Sequence, residues 1–265
     1  YVWKMLNHAE GGAHARALMQ RFMAEYADDN QVEVALQRAL VGEIAQIFLP
    51  IYEKTAGRWG YVSIQGDPFH EDCETIVRMA RYNREAGPNI MAKIPVTEEG
   101  LRAIEILAAE GTPINATEVM SVRQAMDVYE VWDRATAGMT HKPVIYFSHI
   151  AGIFDEYIRD YAARIGADVP QDYLWQAGVT VAKKIDQLMR EKGNPLGFIS
   201  GGARGLQHFT EMVGCDCVVT INWQGTADKL IEMDPPVVQR FLRPTPHSVI
   251  DMLCERLPDF RKAYE

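Results

Sequence analysis

At 265 residues, 48% hydrophobic and 24% charged, the chain holds enough apolar material for one large domain or two small ones. A net charge of −9 without a lysine/arginine cluster excludes the electrostatic footprint of a nucleic-acid binder. No apolar run approaches the ~18 residues that span a bilayer and no signal peptide is visible, so neither nucleic acid nor membrane is an expected partner.

Taken in chain order, residues 2–58 read as helices. "HARALMQRFMAEYADD" sets Ala15, Leu18, Met19, Phe22 and Met23 at the three/four spacing of an amphipathic helix. "VEVALQRALVGEIAQIFLPIYEKTAG" continues similarly until Pro50 and Gly57 interrupt it. Then the rhythm changes. Short runs rich in β-formers appear at 61–65, 90–95, 113–120, 143–150, 196–202 and 217–222. Helical segments stand between them: "HEDCETIVRMARYNREAG", "EEGLRAIEILAAEG", "SVRQAMDVYEVWDRATAG", "FDEYIRDYAARIGA" and "LQHFTEMVG". Gly87, Gly111 and Gly214 fall near helix ends, where a left-handed residue is expected. Pro235, Pro236, Pro244 and Pro246 loosen the chain before a final helix over 247–265.

Strands alternating with helices predict βα units and a parallel sheet. Polar residues collect at the strand ends just before the helices: Gln65, Lys93, Asn115 and Thr117, Ser148 and His149, Arg204, Asn222. In a (β/α)8 TIM barrel those ends form the active-site face. The expected fold is therefore α/β, a single (β/α)8 barrel domain over residues 1–265 with a helical extension from about residue 235. Six strands are legible where a barrel needs eight, so the first two are expected upstream of Tyr1. A doubly wound open sheet is the rival, and its GxGxxG fingerprint is missing. The cysteines are Cys73, Cys215, Cys217 and Cys254, and "CDC" at 215–217 is one residue too tight for a CxxC pair. They read as reduced thiols in a cytoplasmic protein, with no metal and no cofactor expected.

"NIMAKIPVTEEG" (89–100) places Lys93 in the middle of an apolar strand. Burial disfavours the charged amine and lowers a lysine's pKa. A neutral amine attacks carbonyls and forms Schiff bases, and the imine stabilises a neighbouring carbanion. The alternative is a lysine that snorkels to solvent or pairs with a buried carboxylate.

The stretch "AKIPVTEEGLRAIEILAAEGTPINATEVMSVRQA" (92–125) resembles the transaldolase/fructose-6-phosphate aldolase family. In that family a K-[IL]-P-x-T-x-E-G segment is followed by L-x-x-x-G and N-x-T. Here these are Lys93, Ile94, Pro95, Thr97, Glu99, Gly100, Leu107, Gly111, Asn115 and Thr117, followed by Ser121, Gln124 and Ala125. "VSIQGDP" (62–68), "SHIAGIFDEY" (148–157) and "SGGARGLQHFTEMVGCDCVVTI" (200–221) resemble further family segments in the same order.

The resemblance implies a (β/α)8 class I aldolase that cleaves a ketose between C3 and C4. A dihydroxyacetone unit held on lysine then passes to an aldose phosphate, or leaves as free ketone. It implies a small-molecule ketose and aldose as partners, anionic and typically phosphorylated, a homo-oligomer, and a place in the pentose phosphate pathway. It implies Lys93 as the Schiff-base residue, Asn115 on the dihydroxyacetone hydroxyls, Thr117 on a catalytic water, and Ser148 and Ser63 lining the donor pocket. Gln65 stands where transaldolases proper carry glutamate and the aldolase branch carries glutamine; an amide orients a water without ionising. Arg204, after a glycine-rich turn into a helix, matches the arginine for the terminal phosphate.

Two departures stand out. Ile153 replaces a second phosphate arginine, and His149 replaces a proline, which makes it a candidate substrate-binding or acid/base residue. Ile150 occupies the branch-specific tyrosine position. The family's catalytic aspartate and its T-x-N-P segment lie on the first two strands, and "YVWKMLNHAEG" resembles the stretch just after N-P. Both are expected upstream of Tyr1. The competing expectations are an inactive barrel that binds a sugar or anion or serves as a structural subunit, and a sugar-phosphate isomerase, against which the N-x-T pairing with Lys93 argues.

Overall fold

The helices begin where the sequence supplies an oxygen to cap them. In the computed structural model, which describes residues 2–265, α1 (Val2–Leu6) and α2 (Gly12–Glu25) lead into α3 (Asp29–Lys54). The Asp28 carboxylate caps α3 by accepting from the Gln31 N–H at 3.0 Å. Pro50 does not end this helix as the sequence suggests. It lies near the last turn, where it forfeits only its own bond to the preceding turn, and the helix runs on to Lys54.

By length and composition α3 is apolar enough to cross a membrane, although no uninterrupted apolar run signals this. Its two mid-helix charges have partners on α2 and at residues 82–85, the end of the helix that follows the first strand. Arg38 donates to Glu85 at 3.3 Å and lies 4.2 Å from the Tyr82 ring centroid, and Glu43 pairs with His14 at 2.8 Å. Ala45 sits in a buried cluster with Ile64 and Ile90.

The βα units follow: β1 (Val62–Gln65), α4 (Cys73–Arg84), β2 (Ile90–Pro95), α5 (Glu98–Ala109), β3 (Ile114–Val119), α6 (Val122–Ala135) and β4 (Ile145–His149). Asp72, Thr97 and Ser121 cap α4, α5 and α6, each accepting from the N–H three residues on. Gln124 Oε1 accepts in return from the Met120 N–H, one residue before the cap, at 2.9 Å.

After β4 come α7 (Ala151–Ile165), α8 (Gln171–Leu174) and α9 (Ala177–Glu191), then β5 (Gly197–Ser200), α10 (Gln207–Thr210) and β6 (Val218–Val219). The sequence pattern shows one helix between β4 and β5 and misses α8 and α9. The chain ends in α11 (Asp228–Met233), α12 (His247–Arg256) and α13 (Pro258–Tyr264). The single final helix expected over 247–265 is broken at Leu257 (φ −127°, ψ 90°), because the ring of Pro258 pushes the residue before it out of the helical region. Gly111 and Gly214 take the left-handed conformation expected of them, at φ +78° and +101°.

The six strands are hydrogen-bonded neighbours in chain order, β1 to β6, and the pairs β1–β2, β4–β5 and β5–β6 are parallel. The fold is α/β, with the strand order of part of a (β/α)8 barrel. Two compact units divide the chain. The first contains the chain up to Asn115 together with Gly138–Val144. In it Val41, Val62 and Ala86 pack on the Ala45–Ile64–Ile90 cluster, so the even-numbered residues of β1 and β2 face the helices. The second unit contains Ala116–Ala137 and Ile145–Glu265. In it Phe147 of β4 stacks on Phe198 of β5, ring centroids 4.8 Å apart.

Candidate active site

In the first unit the register of β1 and β2 decides the neighbours of Lys93. Gln65 pairs with Lys93 and Ser63 with Met91, so all four share the face opposite the helices. Lys93 and Gln65 are half-buried and Ser63 is exposed. Among the described residues the Lys93 amine has no carboxylate or other hydrogen-bond partner. Of the two structural readings of this lysine, pairing with a buried carboxylate is therefore not what the fold builds among the described residues. Lys93 and Gln65 line a cavity of about 20 Å³, room for about one water, with Asp67 and Glu71 on its wall.

The rest of the lysine motif fixes the strand end. Thr97 Oγ1 accepts from the Gly100 N–H at 3.0 Å, and Glu99 accepts from the Cys73 N–H at 3.1 Å. A Cβ on Gly100 would lie 1.9 Å from the Pro95 carbonyl oxygen, so only glycine lets α5 start this close to β2. Asp67, buried just beyond β1, accepts from Asn30 at 2.6 Å, His70 at 2.7 Å and the Phe69 N–H at 2.9 Å. Burial pushes its pKa up, and those three donors outweigh it and hold the carboxyl below its usual value. Asn115, on β3, is buried and hydrogen-bonded.

In the second unit Thr117 and Ser148 are buried near the ends of β3 and β4. Ser148 pairs with Ile199 and His149 with Ser200, so the strand sends Ser148 and His149 to opposite faces. His149 goes with Phe147 to the helix side. It is fully buried, with Nδ1 2.9 Å from the Val119 oxygen and Nε2 3.0 Å from the Gly178 oxygen. Both ring nitrogens thus face main-chain carbonyls, of which the neutral ring can donate to only one, and His149 lines none of the cavities at Lys93, Arg204 or Ile153. Burial pushes its pKa down, against the pull of the two carbonyls.

Arg204 stands where the sequence puts it, after the glycine turn that follows β5. Its Nε donates to Glu156 at 2.9 Å and its Nη1 to the Gly202 oxygen at 3.1 Å, and the side chain is about 41% exposed. It lines a cavity of about 590 Å³ together with Arg159, Glu156, Trp175 and Gln176. Asp155 and His208 form a buried pair on the wall of the same cavity, Nε2 to Oδ2 2.8 Å. Sequence reading misses this pair because its members are 53 residues apart and belong to no local motif. Ile153, at the position of the second family arginine, lines a separate and largely apolar groove with Met120, Phe154 and Tyr157. The four cysteines are free, and the hydrogen bond between the side chains of Cys215 and Cys217 pushes the first thiol up and the second down.

Strands that alternate with helices and neighbour one another in chain order define an α/β protein with the strand order of part of a barrel. Residues 5–248 match the transaldolase/fructose-6-phosphate aldolase family, and the chain belongs to that family. It is 28% identical over 199 residues to a transaldolase of Thiobacillus denitrificans, a span of 71% of this chain and 55% of the relative. It is 31% identical over 146 residues to a probable transaldolase of Lactiplantibacillus plantarum, 54% of each. Over 85 residues it is 41% identical to a transaldolase of Trichodesmium erythraeum, 31% of this chain and 22% of that protein. The chain spans about half the length, or less, of these curated relatives.

Proposed function

We propose that the chain is a class I aldolase or transaldolase in which Lys93 forms a Schiff base with the carbonyl of an anionic ketose. The observation that carries this reading is the half-buried Lys93, paired in register with Gln65 and lacking any counter-ion among the described residues, in a chain of this family. In this reading the neutral amine is the nucleophile. It adds to the ketone and expels water to give an imine. The C3–C4 electron pair then flows into the imine as the C4 hydroxyl passes its proton, through a water, to the imine nitrogen. An aldehyde departs and the dihydroxyacetone unit stays on Lys93 as an enamine, which an aldose captures or a proton quenches before hydrolysis.

In this reading Asn115 holds the hydroxyls of the dihydroxyacetone unit, Gln65 and Thr117 orient a water, and Ser63 and Ser148 line the donor pocket. Arg204 takes the terminal anion. His149 supports the helix layer and does not touch substrate, since its ring is fully buried between two main-chain carbonyls. The six strands are six of the eight in a single (β/α)8 barrel domain that includes the C-terminal helices. The protein works in the cytoplasm as a homo-oligomer, in carbohydrate metabolism of the pentose phosphate type.

Fructose 6-phosphate, offered with and without an aldose phosphate acceptor, tests the reading. Release of glyceraldehyde 3-phosphate without acceptor identifies an aldolase, and release only with acceptor a transferase. Lys93→Met abolishes either. Turnover that survives this substitution would refute the assignment.

A further inference from the structure

The Asp155–His208 pair resembles an acid/base dyad, but its hydrogen bonds leave it nothing to do in proton transfer. His208 Nδ1 accepts from two backbone N–H groups at once, those of Arg204 and Gly205, each at 3.2 Å. A nitrogen that accepts carries no proton, so the proton sits on Nε2. Nε2–H donates to Asp155 Oδ2 at 2.8 Å, and the other carboxylate oxygen accepts from the Gly178 N–H at 2.5 Å. The pair is buried, His208 to 1% and Asp155 to 8% exposure. Every polar atom of the two side chains is therefore engaged: Nε2 and Oδ2 with each other, Nδ1 and Oδ1 with backbone N–H groups.

What they hold is the turn that carries Arg204. That turn is pinned from the other side as well. A Cβ on Gly152 of α7 would lie 1.9 Å from the Gly202 oxygen and 2.9 Å from the Arg204 nitrogen. Gly202 itself has φ +66°, a conformation that favours glycine. At Gly178 a Cβ would approach Asp155 Oδ1 to 2.9 Å, so glycine there allows the carboxylate to reach the α9 backbone. The chain of contacts runs α9, Asp155 on α7, His208 on α10, then the turn. With Nε and one Nη1 hydrogen engaged, the Arg204 guanidinium retains three of its five N–H groups for a ligand in the 590 Å³ cavity.

We infer that Asp155 and His208 are positioning residues: they fix the His208 tautomer that clamps the Arg204 turn, and so set how tightly the substrate's terminal anion is held. This rests on the proposed role of Arg204. The carboxylate selects the tautomer, the imidazole lone pair holds the two amides, and the amides place the arginine. Neither residue touches the reacting carbons.

Two substitutions separate the clamp from mere filling of space. In His208→Asn the amide oxygen takes the place of Nδ1 and still accepts from the turn. In His208→Gln the amide nitrogen takes the place of Nε2 and still donates to Asp155, but nothing accepts from the turn. In His208→Gln, amide exchange at Arg204 and Gly205 is expected to quicken about tenfold or more, and KM for fructose 6-phosphate to rise about tenfold with kcat within about twofold. In His208→Asn both stay near wild type. Equal behaviour of the two variants, in either direction, overturns the inference. In the wild-type protein, long-range nitrogen–proton correlation should show His208 as the Nε2–H tautomer, and an Nδ1–H tautomer overturns the inference even if neither variant folds. Borohydride trapping of dihydroxyacetone on Lys93 tests the catalytic reading independently, because dihydroxyacetone carries no anion. If trapping fails while the exchange data hold, the clamp stands and the catalytic reading falls. If trapping succeeds while exchange is unchanged, the reverse is true.

Discussion

Ser148 and His149 are adjacent in sequence, and the two-residue period of the strand separates them completely. His149 stands under α7 and α9 with both nitrogens against carbonyls, and Ser148 faces the other way. The same period joins Gln65 to Lys93 across two strands. Gln65→Glu puts an ionisable group beside the lysine. It is expected to add a carboxylate limb to the pH–rate profile and to shift turnover from simple cleavage toward transfer, read by steady-state rates from pH 4 to 9 with and without acceptor. A profile unchanged by the substitution would show that residue 65 does not meet the reacting groups. Lys93 and Gln65 were legible because strand-end polarity is a local pattern. Their pairing was not, because register is a tertiary fact. Asp155 and His208 were invisible for a stronger reason: each is an ordinary helix residue until the fold joins them.

At the scale of elements, the lysine motif is as much architecture as chemistry. Thr97 and Gly100 lie past the strand and serve to start α5 directly over Pro95. Thr97→Ala is expected to cost about 1 kcal/mol, the worth of a cap. Gly100→Ala drives a methyl into a backbone oxygen and is expected to cost about 2–4 kcal/mol. Urea unfolding of the two variants measures both, and a Gly100→Ala protein as stable as wild type would contradict the close approach described above. Strand positions were read from the sequence to within a few residues, because runs of β-formers bounded by caps and glycines are strong local signals. The exceptions have physical causes. Pro50 falls where α3 loses little by containing it, and Pro258 breaks a helix whose apolar pattern runs on. α8 and α9 escape a sequence reading because the β4–β5 connection holds two helices more than the one-helix rhythm of the other units.

For the molecule as a whole, buried titratable groups set how stability follows pH. Burial holds His149 toward its neutral form, while in the unfolded chain its pKa returns to about 6.5. Below that pH the unfolded state binds more protons, so stability falls as pH falls, by at most about 1.4 kcal/mol per pH unit. Burial pushes Asp155 up in spite of His208 and Gly178. Between its unfolded value of about 3.9 and its folded one the native state holds the extra proton, and stability falls as pH rises through that window. Asp67, held low, contributes stability above about pH 3.9 that is lost as pH falls through its folded value. Comparison with His149→Gln isolates the first effect: the advantage of wild type over the variant should shrink from pH 7 to pH 5 in thermal melts, and a constant difference would contradict a neutral His149. The central claim, that this fold presents Lys93 as a carbonyl nucleophile, is tested most directly by incubating the protein with dihydroxyacetone and borohydride and mapping adducts by peptide mass. A dihydroxyacetone-sized adduct is expected on Lys93 and is absent from Lys93→Met. A folded protein that gains no adduct at Lys93, or the same adduct in both proteins, would contradict it.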